Sequence, residues 1–180
     1  MSGAVLPKLN NDRSGKVVRV QDIPDHLSAN LPSEDEMWSL GHQCEKGWYC
    51  AKQHSLHDDE VRYVHRCPDL VESGLSPPIL EQMRDELSCQ YIAMFASDGA
   101  HATGSLEWHI DGYHVFAFNI EGVTEWEWFD LGTGKIKSVV LEPKKNIITM
   151  PSGISHRVKL LTEHRMSVSI IKPASMKDIV

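Results

Sequence analysis

Positive charge, cysteine and long apolar runs are all scarce in this 180-residue chain, and each scarcity excludes a class of function. Eighteen Lys and Arg stand against 25 Asp and Glu, a formal net charge of −7 with a pI near 5.8. Attraction to nucleic-acid phosphates or to an anionic lipid surface is therefore not expected. The longest apolar runs, such as Val115 to Phe118 and Ile147 to Met150, fall far short of the roughly 20 residues that a membrane helix needs. No charged start followed by an apolar block opens the chain, because Lys8, Asn10, Asn11, Asp12 and Arg13 interrupt it, so export is disfavoured. Four cysteines, Cys44, Cys50, Cys67 and Cys89, are too few for a disulfide scaffold and fit a reducing, cytoplasmic compartment.

What remains is enough for one globular domain, with 41% apolar residues to build its core. Residues 1–31 read as an N-terminal arm with a β-like stretch at Lys16 to Val20, 32–89 as a helical and loop region, 90–171 as a β core and 172–180 as a tail. Ser33 and Glu36 have the spacing of a capping box, which predicts a helix from there to about Gly41. Ser76-Pro77-Pro78 predicts a second helix, with the serine as cap and Ile79, Leu80, Met83 and Leu87 as its buried stripe. From Gln90 onward, short segments rich in aromatic and β-branched residues predict eight strands, at 91–96, 105–111, 114–120, 124–130, 135–141, 146–150, 155–161 and 165–171. Gly and Pro turns punctuate them. The expected fold is mainly β, a sandwich or small barrel of the jelly-roll type, with one or two helices packed on it. In Glu125-Trp126-Glu127-Trp128 the acids and tryptophans alternate, so one face is buried and the other wet.

Ten histidines are the compositional oddity. In Trp108-His109-Ile110-Asp111 the period of a strand puts His109 and Asp111 on one face. His156 follows the Pro151-Ser152-Gly153 turn and opens an apolar strand. Two histidines and a carboxylate hold a metal on one face and leave open positions, the arrangement of non-haem Fe(II) oxygenases. Arg165 and Ser167 share a strand face beyond His156, and a guanidinium can grip a carboxylate in bidentate fashion with the hydroxyl beside it. The alternative for Arg165 is a salt bridge to Glu163 or Glu125.

Trp108-His109-Ile110-Asp111-Gly112-Tyr113-His114-Val115-Phe116, continuing to Glu121-Gly122 and Trp126, resembles the first metal-binding strand of the cupin superfamily, and within it of the Jumonji-C-like Fe(II)/2-oxoglutarate-dependent hydroxylases. Pro151-x-Gly153-x-x-His156 is similar to the second cupin motif. The resemblance covers about residues 90–171 and implies a double-stranded β-helix in which His109, Asp111 and His156 hold Fe(II). It also implies 2-oxoglutarate as cosubstrate, with Arg165 and Ser167 resembling the Arg-x-Ser element that holds its distal carboxylate. Most Jumonji-C enzymes use a lysine on the strand after His-x-Asp, where this sequence has Thr124. An aspartate ligand argues against halogenation.

Val115, Ala117 and Asn119 take the parity of Asp111 and are expected to face the barrel interior, with Asn119 hydrogen-bonding substrate or cosubstrate. Tyr113 and His114 are expected either to line the entrance, Tyr113 as a substrate contact, or to lie in an exposed turn. Lys144 and Lys145 are expected to be solvated. Cys44, Cys50, His54, His57, His65 and Cys67 invite a zinc reading, but Cys44-x5-Cys50 misses the usual ligand spacing, which favours buried thiols and surface histidines. The tryptophans read as packing. The expected activity is hydroxylation of a small molecule or a peptide or amino-acid side chain. Two alternatives stay open: a cupin metalloenzyme acting without 2-oxoglutarate, and a non-catalytic cupin that binds a ligand. Exposed sheet edges make a homodimer plausible.

Overall fold

The computed structural model describes residues 5–7, 16–45, 47–54, 61–68, 70–97 and 106–174. Eleven strands run in chain order as β1 (Arg19–Asp22), β2 (Tyr49–His54), β3 (Val61–Cys67), β4 (Tyr91–Ser97), β5 (Leu106–Ile110), β6 (Tyr113–Glu121), β7 (Thr124–Asp130), β8 (Lys135–Leu141), β9 (Asn146–Met150), β10 (Ser155–Leu160) and β11 (Arg165–Pro173). Three helices, α1 (Asp25–Ser28), α2 (Glu34–Gln43) and α3 (Pro78–Glu86), accompany them. The strands form two antiparallel sheets, β1-β9-β6-β11-β4-β3-β2 and β5-β10-β7-β8. No helix among the described residues is long and apolar enough to cross a membrane.

All eight strands expected from residue 90 onward are present, within a residue or two of their expected ends. The two-sheet jelly-roll with helices on its outside is the fold the sequence predicted. Three elements differ. The region 32–89, read as helix and loop, also carries β2 and β3, which extend the larger sheet beyond β4. The β-like stretch expected in the arm at Lys16 to Val20 is β1, shifted to Arg19–Asp22, where it pairs with β9 from Arg19↔Thr149 to Asp22↔Asn146. Ser76 does not cap α3: Pro77 holds the cap position and Pro78 begins the helix, where a missing N–H costs nothing.

Helix α2 begins as expected. Ser33 accepts from the Glu36 N–H at 3.2 Å while the Glu36 carboxylate accepts from the Ser33 N–H at 2.7 Å, and these bonds hold the Glu36 carboxyl below the usual range. Its far end packs on Trp48, whose indole N–H donates to the Trp38 carbonyl and lies where any side chain at Gly41 would stand.

The central strands of the larger sheet, β4, β6, β9 and β11, are buried on both faces. Along β6, Phe116 and Phe118 face outward into a core with Leu27, Met37, Leu80 and Met83 of the helices. Val115 and Ala117 face inward, against Trp126, Trp128, Leu141, Ile148, Ile154 and Val158 between the sheets. Strand β11 follows the same rule with a different composition. Met166, Val168 and Ile170 join the helix-side core, whereas Arg165, Ser167 and Ser169 are buried on the inner face. Buried polar side chains cost free energy unless they are paired, so an inner face of this kind marks the place where the barrel gives up stability.

On the outer face of the smaller sheet, Glu125 and Glu127 project as expected. Arg157 and Lys159 cover them. Burial pushes the Glu127 carboxyl up, but the two cations outweigh it and hold it below its ordinary value. Lys145 is exposed and paired with Glu142, whereas Lys144 departs from expectation. It is half-buried and donates to the Leu31 carbonyl at 3.2 Å, tying the turn before β9 to the loop before α2.

The turn between β6 and β7 is closed by Gly122 at φ +77°, where a Cβ would lie 2.3 Å from the His164 carbonyl oxygen and 2.9 Å from the Arg165 Cα. Both the dihedral and the backbone behind it exclude a side chain. Gly122→Ala is expected to destabilise the protein by at least about 2 kcal/mol in urea denaturation, and to shift the start of β11, seen as changed Arg165 and Met166 amide resonances.

Candidate metal centre and adjoining cavity

His109 and His156 meet because β5 and β10 pair with these two residues directly opposite one another. Their ring centroids are 4.3 Å apart. The register slips immediately beyond, from His156↔His109 to Val158↔Leu106, so β5 carries an extra residue next to the site. Bulges of this kind re-aim side chains near active sites. Asp111 lies just past the end of β5, and its Oδ2 is 3.5 Å from His156 Nε2 and 3.9 Å from His109 Nε2. The three ligand atoms all lie within 4.8 Å of one another, and this is the group among the described residues that could hold a metal ion.

The backbone fixes which imidazole nitrogen faces inward. His109 Nδ1 is 2.6 Å from the Glu107 carbonyl and His156 Nδ1 is 2.9 Å from the Ile154 carbonyl. A carbonyl can only accept, so each Nδ1 carries the hydrogen and each Nε2 presents its lone pair to the centre. Burial, reinforced by the neighbouring His109, pulls the His156 pKa below its ordinary value. That favours the neutral form a metal requires. Trp126 stacks on the His156 ring at 5.6 Å and 11°, holding it from the remaining side.

The Pro-x-Gly turn anchors Asp111. Gly153, at φ +81°, donates its N–H to the Asp111 carbonyl at 3.0 Å, and the Ser152 hydroxyl lies 3.4 Å from the same oxygen. The segments bearing the second and third ligands are thus bonded to each other. His114 does not line the entrance: it is buried, and its Nδ1 accepts the Ser152 N–H at 3.2 Å, so it too holds the turn. Tyr113 faces the triad and donates to Asp111, and its hydroxyl pKa is raised by burial first and by the Asp111 charge second.

A cavity of about 250 Å³ runs from the triad to the inner face of β11, between His109, Asp111, His156, Tyr113, Arg165 and Ser167. Arg165 is 2% exposed. No salt bridge to Glu163 or Glu125 forms among the described residues, its Nε is buried without a hydrogen-bond partner, and burial alone pulls its pKa down to about 10. The guanidinium is therefore still a cation at neutral pH, and the one carboxylate that shares its cavity among the described residues is Asp111 of the triad. Ser167 also reaches the cavity, its hydroxyl donating to Asn119 Oδ1 at 2.7 Å.

Asn119, expected to touch a ligand, lies behind that wall. Its amide nitrogen is 3.0 Å from the Leu141 carbonyl, 3.0 Å from Thr124 Oγ1 and 3.2 Å from the Gly122 carbonyl, while its oxygen holds Ser167. The parity was right, but every polar atom is spent on β7, β8 and β11. Thr124 is buried in the same network. Sequence reasoning missed Arg66, Phe95 and Ser169, which also line the cavity. Ser169 continues the Arg165-Ser167 alternation and was detectable by it. Arg66 and Phe95 had no such signal.

Cys44 and Cys67 are buried and in no disulfide among the described residues, and Cys89 is partly buried, with burial pushing its thiol up to about 12. Half-buried His65 packs edge-on against Trp38. The side chains of Cys50, His54 and His57, needed for the zinc reading, lie outside the described residues.

An antiparallel two-sheet barrel with a His-x-Asp…His triad at one end is a cupin-like jelly roll, and solved structures share its fold. The X-ray structure of E. coli YcfD superposes with a TM-score of 0.62 at 16% identity, covering 90% of this chain and 51% of that one. A structure described as YcfD, a ribosomal oxygenase from Escherichia coli, in complex with cobalt and succinic acid gives 0.60 at 16% identity over 89% of this chain and 50% of that one. Its complex with cobalt and 2-oxoglutarate gives 0.61 at 15% identity over the same shares. The chain therefore spans about half the length of these structures. No protein-family model matches the sequence, and no curated protein matches it.

Two outcomes follow from this geometry. Asn119→Ala, which strips four partners of a shared amide, is expected to cost about 3 kcal/mol in urea denaturation. Arg165→Met removes an unpaired buried cation and is expected to raise the stability of the ligand-free protein by on the order of 1 kcal/mol, the reverse of an ordinary core substitution.

Proposed function

We propose that the protein is an Fe(II)- and 2-oxoglutarate-dependent oxygenase that hydroxylates its substrate. The observation that carries this reading is the buried Arg165 guanidinium, its Nε without a hydrogen-bond partner among the described residues, facing the same cavity as a group of three side chains that could hold a metal. A triad alone suits many cupins. A cation without a partner at the other end of the cavity suits a ligand with a metal-chelating head and an anionic tail.

The residues present fit both groups. Two neutral Nε2 atoms and one carboxylate form a ligand set that suits Fe(II) and leaves positions open. When bound, Fe(II) and 2-oxoglutarate supply oxygen activation, one oxygen atom entering the substrate C–H bond and the other the succinate left by decarboxylation. In this reading His109, Asp111 and His156 hold the metal, and their backbone bonds to Glu107, Ile154 and Gly153 keep the donors pointed inward. Arg165 grips the distal carboxylate of 2-oxoglutarate by its planar fork, with Ser167 beside it. Asn119 is a positioning residue that fixes the Ser167 hydroxyl. Trp126, Val115 and Val158 exclude water from the space between. Cys44, Cys67 and Cys89, in no disulfide among the described residues, accord with a reducing, cytoplasmic setting, which also keeps iron ferrous.

An anaerobic thermal-shift series with Mn(II) in place of Fe(II) tests the proposal. Ligand at 100 times its Kd adds about 2.7 kcal/mol, roughly 5–10 °C for a chain of this length. The expected result is a shift with Mn(II) that grows with 2-oxoglutarate, is absent in His109→Ala, and in Arg165→Met loses its 2-oxoglutarate part alone. A metal shift indifferent to 2-oxoglutarate would replace the proposal with a cosubstrate-free cupin. No shift at all would replace it with a ligand-binding module.

A further inference from the structure

The cavity has a second arginine that the proposed reaction leaves unused. Arg66, on β3, stands across from Tyr49 of β2 and Phe95 of β4. It lines the cavity of the triad and also an adjoining one of about 290 Å³, and Tyr113 and Ile171 are shared by both. The two spaces therefore have a common wall, and Arg66 forms part of it. Its guanidinium carbon lies 5.5 Å above the centre of the Phe95 ring, and its Nε is buried with no hydrogen-bond partner. No carboxylate among the described residues pairs with it. A cation–π contact of this kind steadies a guanidinium without consuming its N–H donors.

A five-carbon diacid bound at the metal through its keto-acid end has one free carboxylate, and Arg165 accounts for it. Arg165 is the deeper of the two arginines and has Ser167 beside it, whereas Arg66 is half-buried and lines the second cavity as well as the first. The rest of that cavity is apolar or aromatic, with Pro68, Tyr91, Ala93, Ile171 and Pro173 along it. Its volume lies at the small end of ligand pockets, which run from about 300 to 1,000 Å³.

We propose that this outer cavity seats the primary substrate and that Arg66 recognises a carboxylate on it, borne by a small apolar or aromatic body that packs against Tyr113. The proposal rests on the oxygenase reading above. The carboxylate belongs to a free acid or to an acidic residue in a peptide, since both present the same group to the same fork. Tyr113 then has one face toward the triad and one toward the substrate. The C–H bonds of a body held between Arg66 and Tyr113 lie beside Asp111.

The test uses the full chain loaded anaerobically with Mn(II) and 2-oxoglutarate, which keeps Arg165 occupied. Isothermal titration with 3-phenylpropionate, with its neutral match 3-phenylpropionamide and with the blocked peptide acetyl-Ala-Phe-Glu-Ala-amide separates the sources. The acid or the acidic peptide is expected to bind at least 10-fold more tightly than the amide. Arg66→Gln is expected to bring that ligand down to the amide's affinity, with the Kd of 2-oxoglutarate unchanged within twofold. Arg66→Lys keeps the charge without the fork and is expected to fall between, and it carries the comparison alone if Arg66→Gln does not fold. Equal binding of charged and neutral probes overturns the assignment, as does no binding by any of them. A tenfold loss of 2-oxoglutarate affinity in Arg66→Gln also overturns it, by giving Arg66 to the cosubstrate. Failure of the oxygenase reading shows separately, as the absence of any response to Mn(II) and 2-oxoglutarate in the unaltered chain. The acid-against-amide comparison on the metal-free protein then decides Arg66 by itself.

Discussion

Antiparallel pairing of β5 with β10 sets His109 across from His156, and a slip of one residue would turn one imidazole out of the barrel. The rest of the site hangs on that register. Carbonyls of Glu107 and Ile154, each two residues before a histidine, are in place to receive its Nδ1 hydrogen. The turn preceding β10 is in place to hold the Asp111 backbone through Gly153. His114 and Trp126 then brace the turn and the second imidazole from opposite sides. All of these contacts lie within the protein, so the fold itself supplies the bonds that aim the donors. Such preorganisation is what a site needs to bind without reorganising.

The legible part of the chain was the part with period-2 alternation. Apart from the largely exposed β8, strands β4 to β11 alternate between two buried faces or between a buried and a solvated one, and Gly or Pro marks every junction except Leu161–His164 before β11. His109, Asp111 and His156 could be grouped because two lie on one strand and the third follows a turn with its own signature. Strands β2 and β3 were illegible because Tyr49-Cys50-Ala51-Lys52-Gln53-His54 and Val61-Arg62-Tyr63-Val64-His65-Arg66-Cys67 mix charged, polar and apolar residues without a clean face. β2 is also an edge strand, held by one neighbour. Arg66 was invisible for the same reason.

Asn119 shows the other limit. Parity along a strand tells which side of a sheet a residue takes, but not how far along the barrel axis it lies or what stands in front of it. Val115 and Asn119 share a face, yet one lines the cavity and the other is sealed behind Ser167. Depth depends on the bulge that skips Ile120 in the β6–β11 pairing, and local sequence does not announce it. Arg165 was the converse case. Its residue type and position were plain, and its lack of a partner, the feature that gives it meaning, became visible only when the neighbouring strands were in place. The inner face of β11 thus trades stability for recognition, as functional surfaces commonly do.

The turn that clamps Asp111 reaches back across 41 residues of chain, from Ser152 to the Asp111 carbonyl, and the Ser167–Asn119 bond spans 48. Contacts that distant in sequence form late, because the intervening chain must first give up its freedom. On a ribosome, a nascent chain that has released His109 and Asp111 still lacks His156 and the Gly153 N–H that holds the Asp111 backbone. The three-residue group that could hold a metal is thereby completed at the close of assembly and cannot serve as its nucleus.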